Sequence, residues 1–422
     1  MKNSTESKTP FWHRYKNLPR NVWSLSLVSL LNDTSSEIIY PLLPTFLALA
    51  LGASPFAIGA IEGVAETTAS LLKLFSGYLS DKFARRKLPV FVGYALASLT
   101  RPVLAFVTSW QQVLFVRLAD RTGKGIRGAP RDALLAAEVP FEKRGLAFGF
   151  NRAADHLGAV IGPLIAFSLL YFFAADSQNP TISEYRQVFF VASIPVVLGL
   201  FVIAFFVKDS PRAANVETPK VKLSLKEFDR NFKRFLVTIA LFTLSNSSDA
   251  FLLLRAKEAG IATAMLPILW MALHVSKFLS SIIGGDLSDK LGRKTLIFSG
   301  WILYALVYAG FAFINSPGQA WALFLIYGIY FGLTEGTEKA LVADLVPAEK
   351  RGTAFGMYNL AFGVTVFPAS LLLGALWSEF GSETAFIFSS VLSICAAFLL
   401  LTVVTDTKKL THLINTEESR ED

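Results

Sequence analysis

Apolar stretches long enough to cross a bilayer recur along almost the whole chain. Hydrophobic residues make up 53% of the sequence and charged residues 17%, whereas soluble domains carry about a quarter charged residues. A membrane core about 30 Å thick needs roughly 20 apolar residues for each spanning helix. Since the stretches lack the period-two alternation of strands, the sequence predicts spanning helices and does not support an outer-membrane barrel.

The spacing of these stretches predicts an all-α integral membrane protein with 12 transmembrane helices in two six-helix bundles. We expect a cytoplasmic segment at 1–21, bundles at 22–207 and 234–405, a charged cytoplasmic linker at 208–233 and a tail at 406–422. The predicted spans are 22–49, 55–79, 88–107, 112–138, 145–173, 187–207, 234–254, 263–284, 295–314, 319–344, 353–377 and 384–405.

Lysines and arginines outside the spans alternate between rich and poor loops. The predicted inner segments carry most of them, whereas the predicted outer loops carry Arg186, Arg255 and Lys257. This bias follows the positive-inside rule and predicts a multi-pass protein of the inner or plasma membrane with both termini in the cytoplasm. It also explains the net charge of +8 without a nucleic-acid partner. The first apolar stretch is too long for a signal peptide, so we interpret it as the first span.

Two sequence blocks occur once in each half of the chain. Residues 142–149 (EKRGLAFG) match residues 349–356 (EKRGTAFG), and residues 77–87 match residues 285–294. Both blocks follow equivalent predicted spans, and six spans per half is an even number. The sequence therefore predicts two bundles that face the same way, as a parallel pseudo-two-fold repeat around a central path.

The second of these blocks carries a glycine–aspartate–arginine motif. Its members are Gly77, Asp81 and Arg85 in the first copy and Gly285, Asp289 and Arg293 in the second. The motif resembles the loop signature of the major facilitator superfamily, and the resemblance covers essentially the whole chain. It implies a 12-helix secondary transporter, similar to the proton-coupled efflux type, in which these loops act as conformational switches as the halves rock.

The fifth predicted span is similar to the antiporter signature of the same family. Its small residues and proline are Gly149, Gly158, Gly162 and Pro163, although Ala166 and Phe167 stand where the signature has two glycines. Small residues at this spacing allow two helices to pack closely. The resemblance implies export in exchange for protons, with packing between helices as the purely structural interpretation.

The fourth predicted span also resembles the family, through the segment 120–127 (DRTGKGIR). Arg121 stands on the basic position of that signature, whereas Lys124 and Arg127 replace residues that are usually glutamine and small. Together with Arg117 and Arg131, these cations follow steps of three and four residues, so they form a stripe on one face of the helix. Because a lipid-facing cationic stripe is not plausible, the stripe is expected to face acids or an aqueous cavity.

Asp33 and Glu37 lie four residues apart on one face of the first span. We predict that one of them binds and releases the coupling proton, because a carboxylate beside Arg121 and Lys124 would change its pairing on protonation. A static ion-pair network between the first and fourth spans is the alternative. The candidate substrate and cavity residues are Arg121, Lys124, Arg127, Asn246, Asp249 and Glu335.

One pair of charges is exchanged between the halves. Arg131 and Asp132 correspond at the repeat offset to Glu338 and Lys339. We predict that Arg131 and Glu338 approach one another near the cytoplasmic face and form a gate. Separate local pairs within each half are the alternative.

Several function classes are excluded by missing motifs. The sequence has one cysteine, Cys395, and four histidines without ligand spacing, so neither a metal site nor a cofactor is expected. Zinc-protease, nucleophile-elbow and nucleotide-binding spacings are missing, which argues against an enzyme, a receptor or an ATP-driven pump. We expect a monomer that exports a small organic compound in exchange for protons. The alternative is a carrier of an anionic metabolite, by import or exchange, because cations in a cavity attract anions.

Overall fold

The computed structural model describes residues 18–82, 86–140, 144–209, 225–347 and 350–404, and the regular structure within these ranges is helical. The helices are α1 (Arg20–Ile39, followed by Leu43–Thr45 and a π-helical turn at Phe46–Ala50), α2 (Pro55–Lys82), α3 (Lys87–Leu104), α4 (Trp110–Ala137), α5 (Arg144–Phe173), α6 (Ile182–Phe206), α7 (Arg230–Ser245 and Ala250–Glu258), α8 (Leu266–Leu291), α9 (Arg293–Phe313), α10 (Pro317–Asp344), and the run Arg351–Val403, in which α11 precedes and α12 follows Gly381.

Two helices that the sequence predicts as continuous are broken. The α-helical part of α1 ends at Ile39, because Pro41 has no N–H to continue the helical hydrogen bonds. The prediction of an unbroken 234–254 span is also wrong, since α7 is interrupted between Ser245 and Ala250. The interruption is rich in short polar side chains, which compete with the helix for backbone hydrogen bonds.

Two helices begin earlier in the chain than predicted, because capping residues precede the predicted starts. Helix α6 begins five residues before the predicted position 187, where Thr181 and Glu184 form a capping box. Helix α7 begins at Arg230 because the Asp229 carboxylate accepts a hydrogen bond from the Phe232 N–H at 2.8 Å. The predicted linker therefore ends in a helical turn of α7.

Six helical segments of the described residues are long and apolar enough to cross a membrane. They are Leu146–Phe173, Ile182–Phe206, Arg230–Glu258, Thr263–Gly284, Arg293–Phe313 and Thr353–Thr402. The last has 50 residues, enough for two crossings at about 20 residues each. Helices α1 to α4 and α10 fall outside this group because their polar and charged residues lower their hydropathy.

Helices pack mainly within their own half of the chain. Helix α1 packs on α5 and α6, α4 packs on α2 and α3, and α8 packs on α10. Contacts between the halves concentrate where α2 meets α11, and a smaller contact joins α5 to α8. Across the first of these, the Thr67 hydroxyl donates to the Gly363 carbonyl at 2.7 Å.

The halves also meet at one end of the molecule, where the segment after α5 contacts the segment before α8. The Thr263 hydroxyl donates to the Gln178 carbonyl at 2.8 Å, and the Ala264 N–H donates to the Ser177 carbonyl at 3.1 Å. The Lys257 ammonium donates to the same Gln178 carbonyl. We call this the closed end of the molecule.

Candidate functional site

A polar cavity of about 220 Å³ lies between the halves. Its wall comes from α1 to α4 and, across the interface, from Trp270 at the start of α8. Its charged lining residues are Asp33, Glu37, Glu66, Arg101, Arg117, Asp120, Arg121, Lys124 and Arg127. The cationic stripe of α4 thus faces acids and a cavity, as the cost of placing charge against lipid predicts.

Two cations of the stripe are paired with acids of α2. The Arg117 guanidinium lies 2.8 Å from both carboxylate oxygens of Glu62, and the side chains are 10% and 3% exposed. The Arg121 guanidinium lies 2.9 Å from Glu66. These pairs join α2 to α4, which differs from the alternative of a network between α1 and α4.

Arg101 of α3 links three helices. Its guanidinium donates to the Asn32 carbonyl at 2.9 Å and to the Ser36 hydroxyl at 2.7 Å, both on α1. It also lies 3.7 Å from the Asp120 carboxylate of α4. The sequence reasoning missed this residue, although a charged residue inside a predicted span is itself a signal.

Two further cations of the stripe have local partners. The buried Arg127 guanidinium lies 4.3 Å from the centre of the Tyr94 ring. The Arg131 guanidinium lies 3.0 Å from the Asp132 carboxylate and donates to the Ser29 hydroxyl at 3.1 Å.

Four charged lining residues stand outside this network of ion pairs, and one of them, Arg127, contacts the Tyr94 ring instead. Among the described residues, no opposite charge lies within 4.0 Å of the Lys124 ammonium or of the Asp33 and Glu37 carboxylates. Asp33 accepts from the Asn32 amide at 2.9 Å, and Glu37 accepts from the Trp270 indole N–H at 2.8 Å. We call Asp33, Glu37 and Lys124 the open trio.

Helix α5 packs directly behind the two acids of the trio. A Cβ on Gly158 would lie 2.7 Å from the Leu30 carbonyl oxygen, and one on Gly162 would lie 2.8 Å from Glu37 Cβ. Pro163 follows in the same helix. The glycines of the antiporter-like signature therefore allow α5 to approach the part of α1 that carries Asp33 and Glu37.

A second cavity of about 400 Å³ lies between α5, α8 and α10, and it shares Asp33 and Glu37 with the first. Its lining includes Arg152 near the start of α5 and Lys339 near the end of α10, with side chains 64% and 52% exposed. Both positions lie at the helix ends opposite the closed end. We call this second cavity the vestibule. Asp33 and Glu37 lie where the vestibule meets the first cavity.

Glu335 lies in the vestibule between two lysines. Its carboxylate is 3.1 Å from the Lys277 ammonium and 3.4 Å from the Lys339 ammonium. The structure therefore places Glu335 away from the first cavity, in a local cluster of α8 and α10.

The C-terminal half presents aromatic hydroxyls where the N-terminal half presents charges. At the α7 break, the Asp249 carboxylate accepts from the Tyr327 hydroxyl at 2.8 Å, and the Asn246 amide donates to the Tyr330 hydroxyl at 3.3 Å. The rings of Tyr304 and Tyr308 are stacked at 4.1 Å beside them. Sequence reasoning missed these tyrosines, because spacing alone does not separate them from ordinary core residues.

Glu338 is buried in the same half with two uncharged donors. Its carboxylate accepts from the Trp301 indole at 3.0 Å and from the Tyr358 hydroxyl at 2.7 Å. It makes no ion pair with the described part of the chain in this conformation. The predicted approach of Arg131 to Glu338 concerns a state closed at the vestibule side and stays a prediction.

Arg293 is the member of the predicted switch motif whose side chain lies within the described part of the structure. Arg85 lies outside the described residues, as do the side chains of Gly77, Asp81, Gly285 and Asp289. In the second copy, the Arg293 guanidinium lies 3.3 Å from the Asp344 carboxylate and donates to the Ser288 hydroxyl at 2.7 Å. The described part of the chain contains no group of three or more metal-ligating side chains.

Comparison with known proteins gives a consistent family. The model of the Major Facilitator Superfamily matches residues 25–370 and 275–420. An MFS-type transporter of Methanocaldococcus jannaschii is 36% identical over 92% of this chain and 95% of its own length. A multi-drug resistance efflux pump of Streptococcus pneumoniae is 24% identical, covering 88% of this chain and 92% of the pump.

Two further comparisons extend the range of relatives. A cis,cis-muconate transport protein of Acinetobacter baylyi is 25% identical over 71% of this chain and 73% of its own length. The crystal structure of a mutant of the nucleoside transporter NupG superposes with a TM-score of 0.76, at 14% identity, over 91% of this chain and all of that one. The chain is therefore a non-enzymatic membrane transporter that belongs to the Major Facilitator Superfamily.

Proposed function

We propose that this chain exports a small organic compound by alternating access, in exchange for protons that bind at Asp33 or Glu37. The observation that carries the proposal is the position of these acids. They line both the first cavity and the vestibule, and their hydrogen bonds come from neutral donors. A carboxylate that lacks a fixed counter-ion in a low-dielectric site changes its protonation when its surroundings change.

In this proposal twelve helices cross the inner or plasma membrane as two six-helix bundles, with both termini in the cytoplasm. The vestibule then opens toward the cytoplasm and the closed end faces outward. Cargo enters through the vestibule and meets the ionised acids. Rocking of the halves exposes the same acids to the outside, where protonation releases the cargo.

The Glu37–Trp270 hydrogen bond gives this cycle a physical link, because it joins α1 of one half to α8 of the other. The Tyr40 and Trp270 rings also meet across the interface, with centroids 4.9 Å apart. Cargo that binds the ionised Glu37 shares the carboxylate charge that accepts the indole N–H and so weakens this bond, since hydrogen bonds to charged groups are about twice as strong as neutral ones. Loss of this bond lowers the cost of separating the halves at the closed end.

We also propose that Arg131 and Glu338 form a gate in the opposite conformation, in which the vestibule is closed. When the vestibule closes, Arg131 would leave Asp132 and meet Glu338 across the axis. Single charge reversals at these positions should impair transport, and the double reversal should restore part of it. A double reversal no better than either single change would contradict the pairing.

A second candidate function is the carriage of an organic anion, by import or exchange. It is favoured by the exposed Lys124 side chain, which has no acid within 4.0 Å among the described residues. The similarity to a muconate transport protein also supports it.

Inside-out membrane vesicles provide the test. Vesicles carrying the protein are incubated with a small-molecule extract of the host cell, with and without a pH gradient in which the vesicle interior is acidic. The vesicle contents are then compared by mass spectrometry. We expect at least one compound to accumulate with the gradient and to be lost in Glu37→Gln. The exposed Glu383→Gln is the matched control and should accumulate it normally.

Two outcomes would overturn the proposed function. Accumulation that does not depend on the gradient, or that is unchanged in Asp33→Asn and in Glu37→Gln, would exclude proton exchange at this site. Accumulation only in right-side-out vesicles would favour import and the second candidate.

A further inference from the structure

From the open trio we infer that the cargo is a zwitterion, with a carboxylate that binds Lys124 and an ammonium group that binds Asp33 and Glu37. This inference rests on the proposed function and adds the chemical class of the cargo. Its basis is the contrast between paired and unpaired charges around one cavity.

Most other ionic groups of the cavity have partners. Arg117 and Arg121 are paired with Glu62 and Glu66 at 2.8 and 2.9 Å, which leaves those cations poor anchors for a mobile ligand. The buried Arg127 is held by the Tyr94 ring. Among the described lining residues, Lys124 is therefore the exposed cation without an ion pair, and Asp33 and Glu37 are the acids without one.

Each member of the trio has unused bonding capacity. The Lys124 ammonium has three N–H donors, and no hydrogen bond from it to the described residues is found. Glu37 uses Oε2 for Trp270, so Oε1 remains as an acceptor, and Asp33 uses Oδ1 for Asn32. A carboxylate and an ammonium group are the ligand groups that satisfy these three side chains at once.

Charge balance argues against a ligand with only one of these groups. A cation bound to the acids would leave Lys124 unpaired beside Arg121. An anion bound to Lys124 would leave both carboxylates uncompensated in a site of low dielectric, which is costly. A zwitterion satisfies both sides and leaves the net charge of the cavity unchanged.

Other charged groups lie near the trio and enter the proton step. Glu37 faces His274 of α8 as well as Asp33 and Lys124. Asp33 interacts with Arg101 of α3 and Asp155 of α5. Protons that bind the two acids displace the ammonium group of the cargo directly, which gives exchange rather than co-transport.

The rest of the lining favours a small apolar body on the cargo. Ile39, Leu104 and Val116 supply aliphatic surface, and the Tyr40 and Trp270 rings supply aromatic surface. A cavity of about 220 Å³ lies below the usual 300–1,000 Å³ of drug-sized pockets. Apolar amino acids therefore represent the inferred class.

The test uses three probes with one scaffold and different charges. Binding of phenylalanine, phenylalaninamide and N-acetylphenylalanine to the purified full chain is measured by calorimetry. We expect phenylalanine to bind about 10- to 100-fold more tightly than either relative, the loss expected for one charge-assisted interaction. Lys124→Gln should abolish the preference over the amide, and Asp33→Asn with Glu37→Gln should abolish the preference over the N-acetyl compound. Lys233→Gln, at the start of α7, is the control and should keep both preferences.

Each outcome decides between classes of cargo. Tightest binding of the amide would show a cationic cargo, tightest binding of the N-acetyl compound would show an anionic one, and failure of all three to bind would also overturn the inference. Any of these results would leave proton exchange intact if gradient-driven accumulation in vesicles still depends on Glu37. Loss of that dependence would overturn the proposed function instead.

Discussion

The two halves of the molecule differ in the chemistry of their polar groups. The N-terminal half, which supplies most of the cavity wall, holds charges, of which Arg117 and Arg121 are locked in ion pairs while Asp33, Glu37 and Lys124 are not. The C-terminal half holds a buried cluster of stacked aromatic rings whose hydroxyls bond to neutral or acidic groups. This difference is the basis of the proposal that the chemistry that changes during transport lies in the first half.

The largest effect is expected from breaking a locked pair of the N-terminal half. Arg117→Met leaves the Glu62 carboxylate, 3% exposed, without its counter-ion, and the free energy of unfolding should fall by about 3–5 kcal/mol. Unfolding of the protein in detergent measures this loss.

A double change distinguishes the lost pair from lost packing. Arg117→Met combined with Glu62→Leu removes both charges and should restore most of the stability. Arg152→Met, at a side chain that is 64% exposed, should change stability by less than about 1 kcal/mol. If the double variant is as unstable as Arg117→Met, the buried pair is not the cause.

A smaller effect is expected in the aromatic cluster of the C-terminal half. Tyr327→Phe removes the hydroxyl that donates to Asp249 and should cost about 1–3 kcal/mol of unfolding free energy. Tyr308→Phe is the matched control, because that buried hydroxyl makes no hydrogen bond of standard geometry to the described residues, and its removal should cost less. Equal losses in the two variants would show that ring packing, and not the hydroxyl bond, holds this cluster.

The smallest effect on stability is expected at the closed end. Lys257→Met removes exposed hydrogen bonds to Gln178 and Asn179, and the free energy of unfolding should change by less than about 1 kcal/mol. The fraction of molecules that are open at this end should nevertheless rise. Spin-label distances between positions 180 and 260 measure that fraction, and an unchanged distribution would show that these contacts do not hold the end closed.

The sequence predicts the helices and the charged stripe well, since apolar length and three- and four-residue spacing are local properties. It does not predict which acid meets which cation. Glu62 and Glu66 on α2 pair with the stripe, whereas Glu37, four residues from Asp33 on α1, meets Trp270 from the other half. Such pairing depends on packing between helices that are distant in the chain.

Breaks in helices were also hard to predict. The interruption of α7 before Ala250 depends on competing polar side chains and on the Asn246–Tyr330 bond, whose partner lies 84 residues away. By contrast, the early start of α6 has a local signal, because Thr181 and Glu184 have the spacing of a capping box.

The most direct test of proton coupling compares the acids of the two halves. Asp33→Asn with Glu37→Gln removes both carboxylates of the open trio, Asp249→Asn removes one from the C-terminal half, and gradient-driven accumulation is measured for both variants in the same inside-out vesicles. The variant without the two trio acids should lose most of its response to the pH gradient, while Asp249→Asn should keep that response even if cargo binds less tightly. A full response without the trio acids together with loss of response in Asp249→Asn would place proton coupling in the C-terminal half and contradict the proposed function.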